Sequence, residues 1–208
     1  MKTPVRAAAA AMAALALCAC GHSGASDSST ASAAASASQP STSNDSSAAS
    51  DGMMTLLPTG NLVIQVPGDA VTGTTTTYDD GMQQTYYDSR GSIPLTVAVE
   101  YYAAGAKPAA SILAAEQQAL TAQSIQPKVT PVDVPGGSGA NRLDWQTTAI
   151  PPWLQDRKTS EVPITCAGII VDGPGGESYG VYVFADPKNK ESLNRMSSVL
   201  TSVAVSAS

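Results

Sequence analysis

Two apolar runs, "PITCAGIIV" (residues 163–171) and "SYGVYVFAD" (residues 178–186), are separated only by "DGPGGE". Runs so rich in β-branched and aromatic residues read as strands. A connection that short and glycine-rich forces them to pair antiparallel, because parallel neighbours need a long crossover. This hairpin constrains the fold more than any other stretch. Further segments extend the pattern. "GNLVIQVPGD" reads as a short strand over residues 62–66, stopped by Pro67-Gly68. "TTTTYDDGMQQTYYD" has β-rich runs on either side of Asp80-Gly81, the dipeptide that a type I′ hairpin favours. In "PLTVAVEYY", Leu95, Val97, Val99 and Tyr101 point one way, and Thr96, Ala98, Glu100 and Tyr102 the other. That alternation predicts a strand with one strongly buried face. "KVTPVDV" and "ANRLDWQTT" supply two more strands.

Two segments change period. "KPAASILAAEQQALTAQS" is rich in good helix formers, opens on Pro108, and can place Ile112, Leu113 and Leu120 on one side. After Asp186-Pro187, the residues Leu193, Met196, Leu200 and Val203 fall on one helical stripe. Three or so strands, a helix, about four strands and a helix predict an α+β fold, an antiparallel sheet with helices packed on it.

The first 52 residues obey other rules. Lys2 and Arg6 precede an apolar run over residues 7–17, too short to span a bilayer but right for an export signal. Cys18, Cys20 and His22 alternate within this region, yet no second histidine exists and the only other cysteine is Cys166, so a four-ligand zinc site is not expected. The end of the run, Leu17-Cys18-Ala19-Cys20, resembles the bacterial lipobox, with an aliphatic residue at −3 and a small one at −1. That resemblance implies cleavage after Ala19 and a diacylglycerol thioether on Cys20. Residues 1–19 are then a lipoprotein signal peptide. In residues 21–52, Ser and Ala fill 20 of the 32 positions and no large apolar residue occurs. Residues 20–52 thus read as the lipidated cysteine and a disordered tether, with an r.m.s. span of about 30 Å. Residues 53–208 are left as a single domain.

A net charge of −6, with no basic cluster, argues against nucleic-acid binding. With His22 the only histidine, the domain cannot assemble a Ser-His-Asp or Cys-His nucleophile. No phosphate-cradling loop or nucleotide motif appears, and no cofactor is expected. Cys166 reads as a small buried hydrophobe. Carboxylates are the remaining catalytic currency. Asp79-Asp80 sits in a turn, while Glu100 and Asp144 lie on strands at a separation that sequence does not disclose. For binding, the segment "QTTAIPPWLQDRKTSEVP" places Trp153 in a long loop behind a stiff Pro151-Pro152, as a candidate contact for a partner or ligand. The other reading is that Trp153 folds back as a cap on the sheet. Trp145 is expected in the core, and Tyr86, Tyr87, Tyr101 and Tyr102 are candidates to line an apolar groove.

The lipobox, the Ser/Ala-rich tether, the opening "LVIQVPGD", the mid-chain helix, "ANRLDWQ" and the closing helix together resemble the PsbP-like fold. More narrowly they resemble the LpqN/LpqT-type lipoproteins of actinobacteria, over residues 56–205. Leu62 stands where that family has an aromatic residue. The resemblance implies a non-catalytic module of the cell envelope and carries over no catalytic residues. The expected function is a membrane-anchored exported lipoprotein, a monomer, that binds a protein partner or an amphiphilic lipid of the envelope. The alternatives are a cell-wall hydrolase using a carboxylate pair, and a structural surface lipoprotein without a specific ligand.

Overall fold

A computed structural model describes residues 53–56, 59–88, 92–154 and 160–206. The signal-like stretch, Cys20, His22 and the tether lie outside the described residues. In chain order the elements are β1 (Met53–Leu56), β2 (Leu62–Pro67), β3 (Ala70–Tyr78), β4 (Gly81–Asp88) and β5 (Leu95–Tyr102). Helix α1 (Ala109–Ala122) follows, then β6 (Lys128–Pro131), β7 (Ser138–Ala149), β8 (Val162–Asp172) and β9 (Ser178–Ala185). Helix α2 (Lys190–Thr201) and β10 (Ala204–Val205) close the chain. The fold is α+β. A seven-stranded sheet in the order β3-β4-β5-β9-β8-β7-β6 is antiparallel throughout, and β1, β2 and β10 form a separate small sheet.

The hairpin that dominates the sequence is the centre of this sheet. β8 pairs with β9 from Thr165↔Ala185 to Asp172↔Ser178, and every residue of β9 is buried. A strand can be buried on both faces only if both sheet faces are covered. Here α2 and the small sheet cover one face, bringing Leu62, Ile64, Val66, Met196, Val199 and Leu200 against Val97, Val99, Val181 and Val183. Helix α1 covers the other, bringing Ile112 and Leu120 into one cluster with Leu143, Trp145, Ile164, Cys166, Tyr182 and Phe184. Each fully buried Leu, Ile or Val contributes about 1.5–3 kcal/mol, so the two clusters supply the main driving force. Cys166 is buried, its thiol 3.9 Å from the Ile164 carbonyl oxygen.

Several expectations are corrected here. β5 is buried on both faces, not one, because Ala98 and Tyr102 on its second side join the core cluster that α1 helps to cover. The opening strand β2 does not join the main sheet but pairs with β1 and β10 above it. Asp80-Gly81 is not the centre of a type I′ turn. The loop residues are Asp79 and Asp80, Tyr78 pairs with Gly81, and neither Asp80 nor Gly81 adopts a positive φ. Gly81 serves a different need: a Cβ there would run into the Tyr101 carbonyl of the adjacent strand.

The helix ends also show where sequence and structure diverge. Asn189 caps α2, its side-chain oxygen accepting from the Ser192 amide at 3.1 Å. Pro108 occupies the N-cap position of α1, just before its first turn, and offers no side-chain acceptor. The acceptor comes from far along the chain. The Ala109 amide donates to Asp172 Oδ1 at 2.7 Å, and the Ser178 hydroxyl donates to the same oxygen at 2.6 Å. Asp172 ends β8, so the central hairpin itself fixes the start of α1 and places a carboxylate at its positive end. Asp172→Ala is expected to cost about 1–2 kcal/mol in urea denaturation, the upper range for loss of a helix cap. Asp172→Asn, which keeps an acceptor, should cost less.

Candidate functional site: a carboxyl pair under helix α1

Helix α1 turns Ala109, Ile112, Glu116 and Leu120 toward the sheet. This is the i, i+3, i+4 stripe of an amphipathic helix, with a glutamate in the middle. Across from it, on β5, is Glu100. The two carboxyl-bearing residues retain 3% and 1% of their exposure, and the charge of Glu100 is felt by Glu116.

The chain builds the surroundings of the pair from five strands. From β4, Gln83 stands opposite Glu100 in register, and its Nε2 donates to Glu100 Oε1 at 3.2 Å. On β9, Gly180 is the register partner of Glu100. Having no side chain, Gly180 leaves room for the Tyr182 ring to lie along the strand. A Cβ at Gly180 would sit 2.7 Å from Tyr182 Cε2 and 2.9 Å from its hydroxyl oxygen. Gly168 of β8 opens the same space from the other side, where a Cβ would lie 2.6 Å from Tyr182 Cδ1. The ring is thereby laid flat, with its hydroxyl beside the carboxyls. Tyr102 of β5 stacks on Tyr78 of β3 at 6.0 Å between ring centroids, and Lys107 Nζ stands 4.8 Å over the Tyr102 ring.

The electrostatics follow from burial. Glu100 is raised from an ordinary 4.5 to about 7, chiefly because the sheet and helix exclude water, with Lys107, Tyr182 and Gln83 acting in the opposite sense. Glu116 is raised to about 8 by burial first and by the Glu100 charge second, again opposed by Lys107 and Tyr182. The hydroxyls of Tyr78, Tyr102 and Tyr182 are pushed up for the same reasons. The hydroxyl oxygens of Tyr78 and Tyr102 are buried without a hydrogen-bond partner from the protein. A negative charge in such a place is poorly compensated, so both carboxyls are held in the neutral form well above the usual carboxylate range.

Other candidates fall elsewhere. Asp144 points away from Glu100 into a surface ion pair, its Oδ1 2.6 Å from Arg142 Nη2. Of the two readings of Trp153, candidate contact or cap on the sheet, the structure agrees with the cap and not the contact. The residue is 8% exposed, and it joins the cluster of Trp145, Ile164 and Phe184. The physical reason is the turn that follows Pro151: the Leu154 amide donates to the Pro151 carbonyl at 3.2 Å, folding the indole back on the sheet. Leu154, next in the chain, is 39% exposed. Trp145 is in the core as expected, edge-on to Phe184 at 6.3 Å. The four tyrosines do not line one groove. Tyr86 and Tyr101 pack with the first core cluster, the latter on Tyr179 at 5.7 Å, while Tyr102 belongs to the second. Among the described residues, no three His, Cys, Asp or Glu side chains gather as a metal-ligand set.

Glu116 escapes the sequence reading, although a signal for it exists. A carboxylate between Ile112 and Leu120, at helical spacing on the same face, contradicts the apolar stripe around it. Such contradictions mark sites where something other than packing is at stake.

No family model matches the chain, and no curated protein matches it. Among solved structures it is similar to the solution structure of cyanobacterial PsbP (CyanoP) from Synechocystis sp. PCC 6803. The identity is 8% and the TM-score 0.45, over 70% of this chain and 87% of that one.

Proposed function

We propose that the protein is an exported lipoprotein of the PsbP-like, LpqN/LpqT kind, held to the membrane through Cys20. Its single domain acts as a non-catalytic binding module for an envelope protein or lipid. The observation that carries this reading is Leu17-Cys18-Ala19-Cys20 at the end of a short apolar run, followed at once by a tether too polar to fold. Such an arrangement suits a domain that works at a membrane surface without entering it. Among the described residues no helix is long and apolar enough to cross a bilayer.

The burial of Glu100 and Glu116 weighs against the hydrolase reading. Glycoside hydrolysis needs two carboxyls flanking a bound sugar, and these two lie beneath a helix with almost no exposed surface. The loop rooted by Trp153 offers a better contact surface through its exposed neighbour Leu154.

The test is made in the producing cell. Cys20→Ser should abolish incorporation of radiolabelled palmitate and leave the protein unprocessed or released from the membrane, whereas Cys18→Ser should leave attachment intact. Label entering the Cys20→Ser protein would overturn the anchor. Native mass spectrometry of the purified wild type addresses the binding half: a co-purifying lipid or protein supports the module, and an empty monomer supports the structural alternative.

A further inference from the structure

We infer that Glu100 and Glu116 form a proton-governed latch between helix α1 and the sheet, closed when the pair is protonated and released when it is not. The geometry carries the argument. One carboxyl belongs to strand β5, the other to the helix, and both are buried on the side of the sheet that the helix covers. Neutral, they are compatible with close packing of Ala109, Ile112 and Leu120 on the second core cluster. Ionised, they are two like charges in a space that water does not reach, and only one of the elements bearing them can move. β5 is hydrogen-bonded on both sides, to β4 and β9, and is fixed. Helix α1 is held by side-chain packing and by the Asp172 cap at one end, so the helix is the moving part.

β3 presents Tyr78, and Asp80 lies in the turn after it. β4 presents Gln83, β5 Tyr102 and β9 Tyr182. β7 and β8 contribute Leu143, Trp145, Ile164 and the Cys166 thiol to the same cluster. Among the described residues, Lys107, on the segment leading into α1, is the cation that acts on both carboxyls. It moderates the repulsion without neutralising two charges. The other helix serves as an internal control: α2 buries Ser192, Met196, Val199 and Leu200 on the opposite face, with no carboxyl among them.

The sign follows from where the protons bind. When α1 lifts, both carboxyls return toward 4.5, so the open state loses protons that the closed state keeps. Opening is therefore suppressed in acid and grows as pH rises between about 5 and 8. The directions of the two shifts, both upward through burial, agree with this.

Native-state hydrogen exchange in low concentrations of urea tests the latch on the intact chain. Corrected for intrinsic exchange, protection of the α1 amides should fall by at least several hundredfold from pH 5 to pH 8, as expected for one carboxyl alone returning from about 8 to 4.5. At pH 8 those amides should exchange with little urea dependence, the mark of a local opening, while α2 amides retain the steep dependence of global unfolding. Glu116→Gln should remove most of the pH dependence, and Glu100→Gln provides the same test if the first variant folds poorly. Unchanged α1 protection between pH 5 and 8 would overturn the latch. So would α1 and α2 amides sharing one urea slope at pH 8, because the pair would then sense only unfolding of the whole domain.

Discussion

Replacing Trp153 by alanine is expected to destabilise the domain by about 3–5 kcal/mol, the usual cost of removing a large buried aromatic. The expectation rests on position. The indole is 8% exposed and packs in the cluster beneath α1 with Trp145, Ile164 and Phe184. The proline-stiffened turn before it keeps the loop from collapsing into the space left behind, which places the cost toward the upper end. Urea denaturation at one pH measures it directly, as a lower midpoint with an unchanged slope. A loss within about 1 kcal/mol would mean that the ring lies in solvent and is free for a partner after all. Leu154→Ala, at the exposed neighbouring position, should stay within about 0.5 kcal/mol.

Stability should also fall as pH rises from 5 to 8, against the trend set by carboxylates in ion pairs. Glu100 and Glu116 are lifted to about 7 and about 8 in the folded chain and return to 4.5 when it unfolds. Between those limits the folded state holds protons that the unfolded state has released. Their contribution is complete below about 4.5 and is lost as pH passes through the folded values. For a single group raised from 4.5 to about 7 the loss is on the order of 3 kcal/mol. Glu116→Gln should flatten the profile, leaving stability near pH 5 little changed and raising it near pH 8 by on the order of 3 kcal/mol. Urea midpoints at the two pH values give the answer. A wild type as stable at pH 8 as at pH 5 would contradict the account.

How far the fold was legible depended on whether the deciding contacts were local. The β8–β9 hairpin, both helices and the antiparallel α+β class were readable, because alternation, tight turns and helical stripes act over a few residues. β1 and β10 were not. They are four and two residues long, and they exist only because β2 lies between them as a partner. The double burial of β5 was hidden for a similar reason: nothing in "PLTVAVEYY" announces that its second side joins the core cluster that α1 helps to cover. The Asp172 cap joins residues 63 positions apart. The site divides in the same way. Glu100 was visible as a strand carboxylate, but its partner was a helix residue, and only the packing of α1 on the sheet brings them together. Trp153 shows the converse. Pro151-Pro152 correctly signalled a fixed ring, and the turn closed by Leu154 decided that it faces inward.

The central claim is that Glu100 and Glu116 are sealed beneath α1 and hold their protons near neutral pH. Carbon-detected NMR of the glutamate side-chain carboxyls measures this most directly, with Glu100→Gln and Glu116→Gln identifying the two signals. The account predicts midpoints near 7 and near 8, well above those of the exposed glutamates. Two signals titrating near 4.5 with the rest would place both carboxyls in contact with water and contradict it.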